Sequence, residues 1–508
     1  MPAIINTNMA SLNSQRHLSA TQLDLFQAMQ RLSSGKRINN ARDDAAGLGI
    51  AARMGAQITG MNQGIRNARD GISLGQTAEG ALSTMNEMLQ RIRVLAVQSS
   101  NATNSPSDRQ ALQNEVGQLV AELNRLAETT TFNNQYLLNG TLGTQYFQVG
   151  PNANELIGAN GANFLTEYYG NYRTVQDGVD PKRMLSPAPP GEFPELPGKS
   201  GGLVRLTGYQ GAEELTITGN DTARTIVEKI NKMVADTGIT ATAKTTAFLE
   251  LEEGKTYSFQ LRSNNIKTDP AIISFAVGDD ISLNDSFAAA INAINAQTAK
   301  TGVTAEYDPD NQGIRLANAN GNDIVLSNTL TSSQSWLYSY DVKGHLVPAG
   351  GQYSGTSADG DGAVAFGTVT LDSPYGFVAE EVNPLSDSEE YPIAGPSGTA
   401  TGELMRVSDL DVSTFEKAQK ALAIVDSAIV HIVGEMARFG ALQARFEATI
   451  LNLEVNSENT SNAKSRIMDA DYAQETSSLA RSTILQQAGI AMLSQANQMP
   501  QMVLNLIG

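Results

Sequence analysis

The 508-residue sequence has no cysteine, a single tryptophan (Trp336) and three histidines (His17, His345 and His431). Without cysteine there is no disulfide framework, no thiolate metal site and no thiol nucleophile, so packing alone must hold the chain together. A chain without thiols also suits passage to an oxidising exterior, where nothing can mispair. The histidines are isolated and no His-Glu-x-x-His pair is present, which removes the zinc-protease pattern. Positive charge is scarce as well: 35 basic residues face 53 acidic ones, and a net charge of −18 disfavours the phosphate-tracking surface that DNA or RNA requires. No nucleic-acid partner is expected. No window reaches the ~18 apolar residues of a membrane span, so membrane insertion is not expected either. The opening residues Met1-Pro2-Ala3-Ile4-Ile5-Asn6 carry neither a basic segment nor a continuous apolar run, so no cleaved secretory signal is expected and export would need another machine.

Catalytic and ligand-binding patterns are incomplete. Gly198-Lys199-Ser200 and Gly254-Lys255-Thr256 end like phosphate loops, but Phe193 and Leu249 stand where the first glycine belongs, and both stretches read as turns. Asp308-Pro309-Asp310 begins like a calcium loop, yet Ala319 occupies the position of the bidentate glutamate, and a hairpin turn is the better reading. No catalytic residues, metal site or cofactor are assigned, and the chain is not read as an enzyme.

What is present divides the chain in three. So long a chain exceeds a single core, and several domains are expected. Residues 1 to about 140 are rich in Ala, Gln, Leu, Asn and Ser, with Pro106 the only proline after Pro2, which favours long helices. The segment from about 408 repeats that character. Between them, dense Gly, Thr, Ser, Asp and Tyr give the composition of strands and turns.

The clearest helical period runs through Phe415, Ala418, Leu422, Val425, Ile429, Ile432, Met436, Phe439, Gln443, Phe446, Ile450 and Leu453, spaced by three and four. That 3.5-residue repeat specifies a coiled-coil helix. A second stripe carries Leu485, Met492, Met499, Val503 and Leu506, and a shorter one carries Leu18, Leu25 and Leu32. Free apolar stripes at both ends are expected to pair with each other or with neighbouring subunits. Within residues 44–100 the register set by Met54, Ile58, Met61, Ile65 and Ile72 differs from that of Ala78, Leu82, Met85, Leu89 and Ile92, which predicts a stutter or a break near Gly75. A further helix is predicted after Ser105, with Pro106 at its first position, and a hairpin around Asn133-Asn134.

The middle holds an internal repeat. Asp221-Thr222, Ile230-Asn231 and Thr237-Gly238 recur as Asp285-Ser286, Ile294-Asn295 and Thr301-Gly302, each offset by 64 residues. Each copy reads as strand, helix, strands, with the aspartate as N-cap and the Thr-Gly step ending the helix. The two copies are expected to form one α+β lobe over about 200–330, with a further β-rich piece over about 331–405.

The runs Ile4-Ile5-Asn6-Thr7-Asn8, Leu32-Ser33-Ser34-Gly35-Lys36-Arg37-Ile38-Asn39 and Asp43-Asp44-Ala45-Ala46-Gly47-Leu48 resemble the opening of bacterial flagellins. Ala463-Lys464-Ser465-Arg466-Ile467-Met468-Asp469-Ala470-Asp471-Tyr472 and Gln486-Gln487-Ala488 resemble the same family's C-terminal segment. The resemblance covers about 1–150 and 408–508. It implies a multidomain α+β fold in which N- and C-terminal segments together build helical coiled-coil domains and carry inserted β-rich and α+β outer domains. Residues 1–43 with 465–508 would form an inner-tube domain, 44–150 with 408–464 a coiled-coil domain with a hairpin, and 151–407 a variable surface region.

The resemblance further implies a secreted, extracellular homopolymer that serves swimming motility. Its implied partners are other copies of itself, an export chaperone at the C-terminal helix, and hook-associated junction and cap proteins. Gln90-Arg91-Ile92-Arg93-Val94-Leu95 resembles a segment that Toll-like receptor 5 reads in many flagellins, with Glu115 on the neighbouring helix. That implies Arg91, Leu95 and Glu115 as receptor contacts, although Val94 stands where the pattern carries glutamate. Two alternatives are a hook-filament junction protein, which shares the terminal architecture, and an adhesin acting through aromatics such as Tyr168, Tyr169, Tyr172 and Trp336.

Overall fold

The computed structural model describes residues 7–174, 202–218, 221–265, 269–281, 284–328, 335–340, 346, 362–382 and 399–507; at 182–184, 284, 328 and 499–507 it describes the backbone. The sites at His345 and at Gly198-Lys199-Ser200 lie outside the described residues.

Four long helices come from the two ends of the chain. α1 (Met9–Ser34) is capped by the Asn8 side chain and ends at Gly35 with φ +68°. α2 (Ala45–Ser99) runs 55 residues, about 80 Å at 1.5 Å per residue, from an Asp44 cap. α8 (Phe415–Met468) returns antiparallel to it from a Thr414 cap, and α9 (Tyr472–Ile507) follows. α3 (Pro106–Thr129) starts in a capping box: Ser105 accepts from the Asp108 N–H, and the Asp108 carboxylate accepts from the Ser105 N–H. The Asn133-Asn134 pair takes left-handed φ values of 48° and 64° and closes the predicted hairpin.

α2 neither breaks nor stutters at Gly75. Its inward series is Met61, Gly64, Ala68, Gly71, Gly75, Ala78, Leu82, Met85, Leu89, Ile92, Ala96 and Ser99, all buried, an unbroken alternation of three and four. The sequence seemed to change register because glycine holds three of these positions and the apolar residues beside them stood out instead. At Gly64 and Gly71 glycine is required by close approach. An added Cβ would fall 2.6 Å from Phe446 Cζ at Gly71 and 2.4 Å from the Val149 carbonyl oxygen at Gly64.

On α8, Val425, Ile432, Phe439, Phe446 and Ile450 are buried, and Leu422, Ile429 and Met436 pack partly buried on the same core. Phe415 does not join that seam: it is 48 % exposed, because it lies past the end of α2. Ala421, Ile424 and Ala428 are buried beside the seam, so the contact stripe is wider than a two-position heptad.

In the middle region the two repeat copies fold alike. A hairpin (Gly202–Thr207 with Ala212–Ile217) leads into α4 (Ala223–Lys232), α5 (Val234–Thr237) and the strand Thr240–Leu251. A second hairpin (Thr256–Arg262 with Ala271–Ala276) leads into α6 (Asn284–Asn295), α7 (Thr298–Thr301) and the strand Val303–Asp308. The repeated asparagine does the same work twice. Asn231 donates to the Ala241 carbonyl at 3.0 Å and accepts from its N–H at 2.9 Å, and Asn295 does so with Ala305 at 2.9 and 2.8 Å. Gly238 and Gly302 end the helices at φ +73° and +70°.

The N-cap of α4 is Thr222, not Asp221. Asp221 instead receives Lys229 Nζ at 2.6 Å and the Thr218 N–H at 2.7 Å, since a cation was in reach and the neighbouring hydroxyl could cap.

The expected single lobe over 200–330 has two cores. One packs Ile226 and Ile230 of α4 on Ile239 and Leu371; the other packs Phe287 and Ile294 of α6 on Ile273 and Val303. The described strands of the piece expected over about 331–405 do not stand apart from the repeat units. Ser335–Ser339 and Thr368–Ser373 pair with Thr240–Leu251, Gly362–Ala365 pairs with Ile324–Asn328, and Val378–Glu381 pairs with Gly202–Thr207. The repeat units leave open strand edges, and these later strands close them.

Candidate assembly interface

The loop between α1 and α2 explains the 43–48 motif. Asp43 accepts from the N–H groups of Asn39 and Asn40, both at 3.0 Å, and these bonds hold its carboxyl below the usual range. Asp44 accepts from the Gly47 N–H at 2.8 Å as the α2 cap, and a Cβ on Gly47 would collide with Asp44 and with the buried Ile38. Opposite this loop, the Arg37 guanidinium donates to the Ile467 carbonyl and the Ala470 N–H to that of Gly35 at 3.0 Å. Both ends of the chain are thereby locked at the α8–α9 bend.

Beyond the bend, α1 and α9 form an antiparallel pair. Contacts run its whole length: the Tyr472 hydroxyl to the Leu32 carbonyl at 3.1 Å, Arg31 to Glu475 at 3.0 Å, the Ser11 hydroxyl to Asn497 at 2.7 Å and Asn8 to the Ala496 carbonyl at 2.8 Å. Leu18, Leu25 and Leu32 are half-buried on the inner face of α1, beside the buried Ala28.

The face of α9 that meets them is not the heptad stripe. Glu475, Ser482, Gly489 and Ala496 turn inward, and a Cβ on Gly489 would lie 3.3 Å from Leu18 Cδ1. Leu485 is 52 % and Met492 62 % exposed, so neither packs on α1 within the subunit. α9 is apolar on several sides. The side that pairs is the one whose small residues let the helices approach and whose Glu475 meets Arg31. Met499, Val503 and Leu506 lie on the described helix backbone, but their side chains fall outside the described residues.

α1 repeats this arrangement: Leu12, Leu23 and Phe26 (65 % exposed) point away from α9. The paired termini therefore expose apolar side chains on both outer faces.

The three receptor candidates separate. Arg91 and Glu115 form an exposed ion pair at 2.7 Å between α2 and α3. Leu95 is 1 % exposed within the α2–α3–α8 core, so it cannot serve as a surface contact. Of the middle-region aromatics, Tyr168 is exposed and Tyr169 is buried, while Tyr172 and Trp336 are half-buried. Among the described residues, no group of three or more His, Asp or Glu could hold a metal ion, and no helix is long and apolar enough to cross a membrane.

An elongated helical rod, built from both chain ends and tipped by outward apolar faces, defines a self-assembling structural subunit. The N-terminal helical region of bacterial flagellin matches residues 5–142 and the C-terminal helical region matches 422–507. The flagellin hook IN motif matches twice, at 204–255 and 258–320, one match on each repeat copy. B-type flagellin of Pseudomonas aeruginosa is 36 % identical over 512 residues, and a flagellin of Salmonella muenchen is 32 % identical over 552; each alignment covers 100 % of both chains. The solved FliC of Burkholderia pseudomallei aligns at 19 % identity over 74 % of this chain and 99 % of its own, with a TM-score of 0.29, too low to carry an argument. This chain belongs to the bacterial flagellin family and is a structural subunit of the flagellar filament. Identity to flagellins over its whole length favours that reading over the junction protein.

Proposed function

We propose that the chain polymerises through the outer faces of α1 and α9. Leu485 and Met492 dock against exposed apolar residues of a neighbouring copy, such as Leu23 and Phe26, while Leu18, Leu25 and Leu32 hold each subunit's own helix pair together. The observation that carries this reading is that α9 meets α1 through Glu475, Ser482, Gly489 and Ala496 and leaves Leu485 and Met492 outside, as α1 leaves Leu23 and Phe26. Met499, Val503 and Leu506 continue the stripe in sequence and are assigned to the same contact. The subunit is exported unfolded with a chaperone over its C-terminal stripe, assembles outside the cell, and meets the hook-associated junction and cap proteins at the filament's ends. On the free subunit, Arg91 and Glu115 offer Toll-like receptor 5 an exposed charge pair without help from Leu95.

The test is the double variant Leu485→Glu, Met492→Glu. Its helix content and urea midpoint should stay close to the parent's, because both side chains are more than half exposed and neither packs on α1. After seeding at neutral pH, the parent should give filaments by electron microscopy while the variant sediments as a monomer. Filaments of normal length from the variant would remove these residues from the interface.

A further inference from the structure

Between the helical rod and the first repeat unit the main chain makes few bonds. Two strands cross, Gly170–Arg173 and Glu403–Arg406, and their main-chain links to the unit are the pairs Asp372–Arg173 and Ser373–Tyr172, the Thr174 N–H to the Leu371 carbonyl at 3.0 Å and the Gly402 N–H to the Phe377 carbonyl at 3.2 Å. Side chains therefore set the angle of the unit on the rod. On one flank the Ser427 hydroxyl of α8 donates to Asn171 at 2.9 Å, and Asn171 and Arg173 converge on Asp372.

On the other flank three rings meet. His431 of α8 lies 4.3 Å from Tyr375 between centroids, and Tyr375 lies 4.6 Å from Tyr209. His431 Nε2 donates to the Pro374 carbonyl. The two tyrosines come from separate loops of the first unit. Tyr209 sits in the turn between Gly202–Thr207 and Ala212–Ile217, over Gly238, where an added Cβ would fall 2.1 Å from its ring. Tyr375 follows Ser373, whose hydroxyl donates to the Gly238 carbonyl at 3.1 Å. On α8, Gly434 faces the Tyr375 hydroxyl, which lies 3.7 Å from where a Cβ would stand.

We propose that the Tyr209–Tyr375–His431 stack is a proton-sensitive clasp, which fixes the outer repeat units on the rod while the imidazole is neutral and releases them when it is charged. A neutral ring protonated at Nε2 satisfies the Pro374 carbonyl. A second proton on Nδ1 places a full charge in a half-buried slot. The charged groups nearby are committed elsewhere: Glu435 on α8 pairs with Arg438, Asp426 on α8 with Arg93, and Asp372 of the unit with Arg173. From the unit's side the slot is faced by the rings of Tyr375 and Tyr209, and the imidazole meets Tyr375 tilted by 59°, not face-on as a cation–π contact prefers.

Burial pushes His431 below its ordinary value of 6.5, against the opposing pull of the Pro374 carbonyl. The released form then binds the proton more readily than the clasped one. Clasping is at full strength above about pH 6.5 and is lost as pH falls through the lowered value.

The absence of cysteine allows two unique spin labels on the full-length, unpolymerised chain, at Glu213→Cys on the first unit and Glu447→Cys on α8, both exposed. The distance distribution should be narrow at pH 8 and should broaden at pH 5.5. His431→Ala should be broad at pH 8 with unchanged helix content. His431→Gln, which keeps a donor for Pro374 but takes no proton, should lose the pH response. The His431 ring protons should titrate at lower pH than in the urea-unfolded chain. A parent distribution identical at both pH values, a pH response that survives in His431→Gln, or a His431 midpoint at or above the unfolded one would each overturn the clasp.

Discussion

Replacing Gly71 by alanine should destabilise the rod, although the same change at Gly80, also on α2, should stabilise it. In a solvent-facing helix position Gly→Ala gains about 0.5–1 kcal/mol from helix propensity and a less flexible unfolded chain. At Gly71 that gain meets a collision, since the new Cβ would sit 2.6 Å from Phe446 Cζ. The ring cannot withdraw: it is fully buried and edge-on to Phe147 at 5.4 Å, in a cluster with Met61, Ala68, Val149 and Ile157. Overpacking of this kind costs about 1–3 kcal/mol, leaving a net loss of roughly 1–2 kcal/mol. Gly80 is exposed with nothing within 4 Å of its Cβ position, so Gly80→Ala keeps the gain. Gly75 falls between, because its neighbour at 3.2 Å is the Gln443 side chain, which can move aside. Urea unfolding of the unpolymerised chain, followed by helix circular dichroism, should order the midpoints Gly80→Ala, parent or Gly75→Ala, then Gly71→Ala. Comparison is by midpoint at constant slope, since a multidomain chain need not unfold in two states. A Gly71→Ala midpoint as high as that of Gly80→Ala would refute close packing of α2 on α8.

Leu95→Ala should cost about 2–5 kcal/mol as a buried truncation, whereas Arg91→Ala and Glu115→Ala, which break an exposed ion pair, should each cost less than about 1 kcal/mol; urea midpoints separate the two classes. Asp44→Ala removes the α2 cap and should lower rod stability by about 1 kcal/mol, read as a lower thermal midpoint, with Asp44→Asn largely restoring it. Lys229→Met should expose a pH dependence in the first repeat unit. Burial alone would raise Asp221, but Lys229 and the Thr218 and Thr225 donors outweigh it and hold it at about 2, below its ordinary 3.8. A depressed carboxylate supports the fold above pH 3.8 and loses that support as pH falls toward 2. The difference in urea midpoint between parent and variant should therefore be largest above about pH 4 and shrink toward pH 2; a gap independent of pH would sink the assignment.

Much of the rod was legible because its signals are local and periodic. Ser105-Pro106 announced a capped helix, Asn133-Asn134 a tight hairpin, and the spacing from Ala418 to Leu453 a helix with one buried side. The repeat was equally visible, since Asn231 and Asn295 are kept for a bond that each makes to its own following strand. Three features escaped for physical reasons. Glycine carries no hydrophobic signal, so Gly64, Gly71 and Gly75 hid the continuity of α2. Several strands between residues 335 and 406 pair with partners more than a hundred residues away, such as Thr368 with Lys244 and Val378 with Thr207, and no local pattern encodes such a choice. Leu95 stood in a motif read as a surface because Arg91 beside it faces water, yet four residues along a helix do not keep the same depth once a third helix packs against it.

The inner face of α9, whose stripe was expected to meet either the other terminus or a neighbouring subunit, bears directly on assembly. A terminal helix pair that buried Leu485 and Met492 against Leu18 and Leu25 would make a more stable monomer with little left to bury in a polymer. The observed pair closes instead on Glu475, Ser482, Gly489 and Ala496, and the residues left outside include Leu23, Phe26, Ile484, Leu485, Ile490 and Met492. Each is at least half exposed, so burying its remaining surface is worth roughly 1–2 kcal/mol, and six such residues supply on the order of 10 kcal/mol per subunit before the entropy lost on association. Set against an association cost of about 4–15 kcal/mol, that gain offsets much of what a protein contact loses, and it is obtained without opening the α1–α9 pair. Apolar residues on several sides of α9 thus serve two contacts in sequence: the face with small side chains seats α1 within the subunit, and the face with large ones stays in reserve for the neighbour.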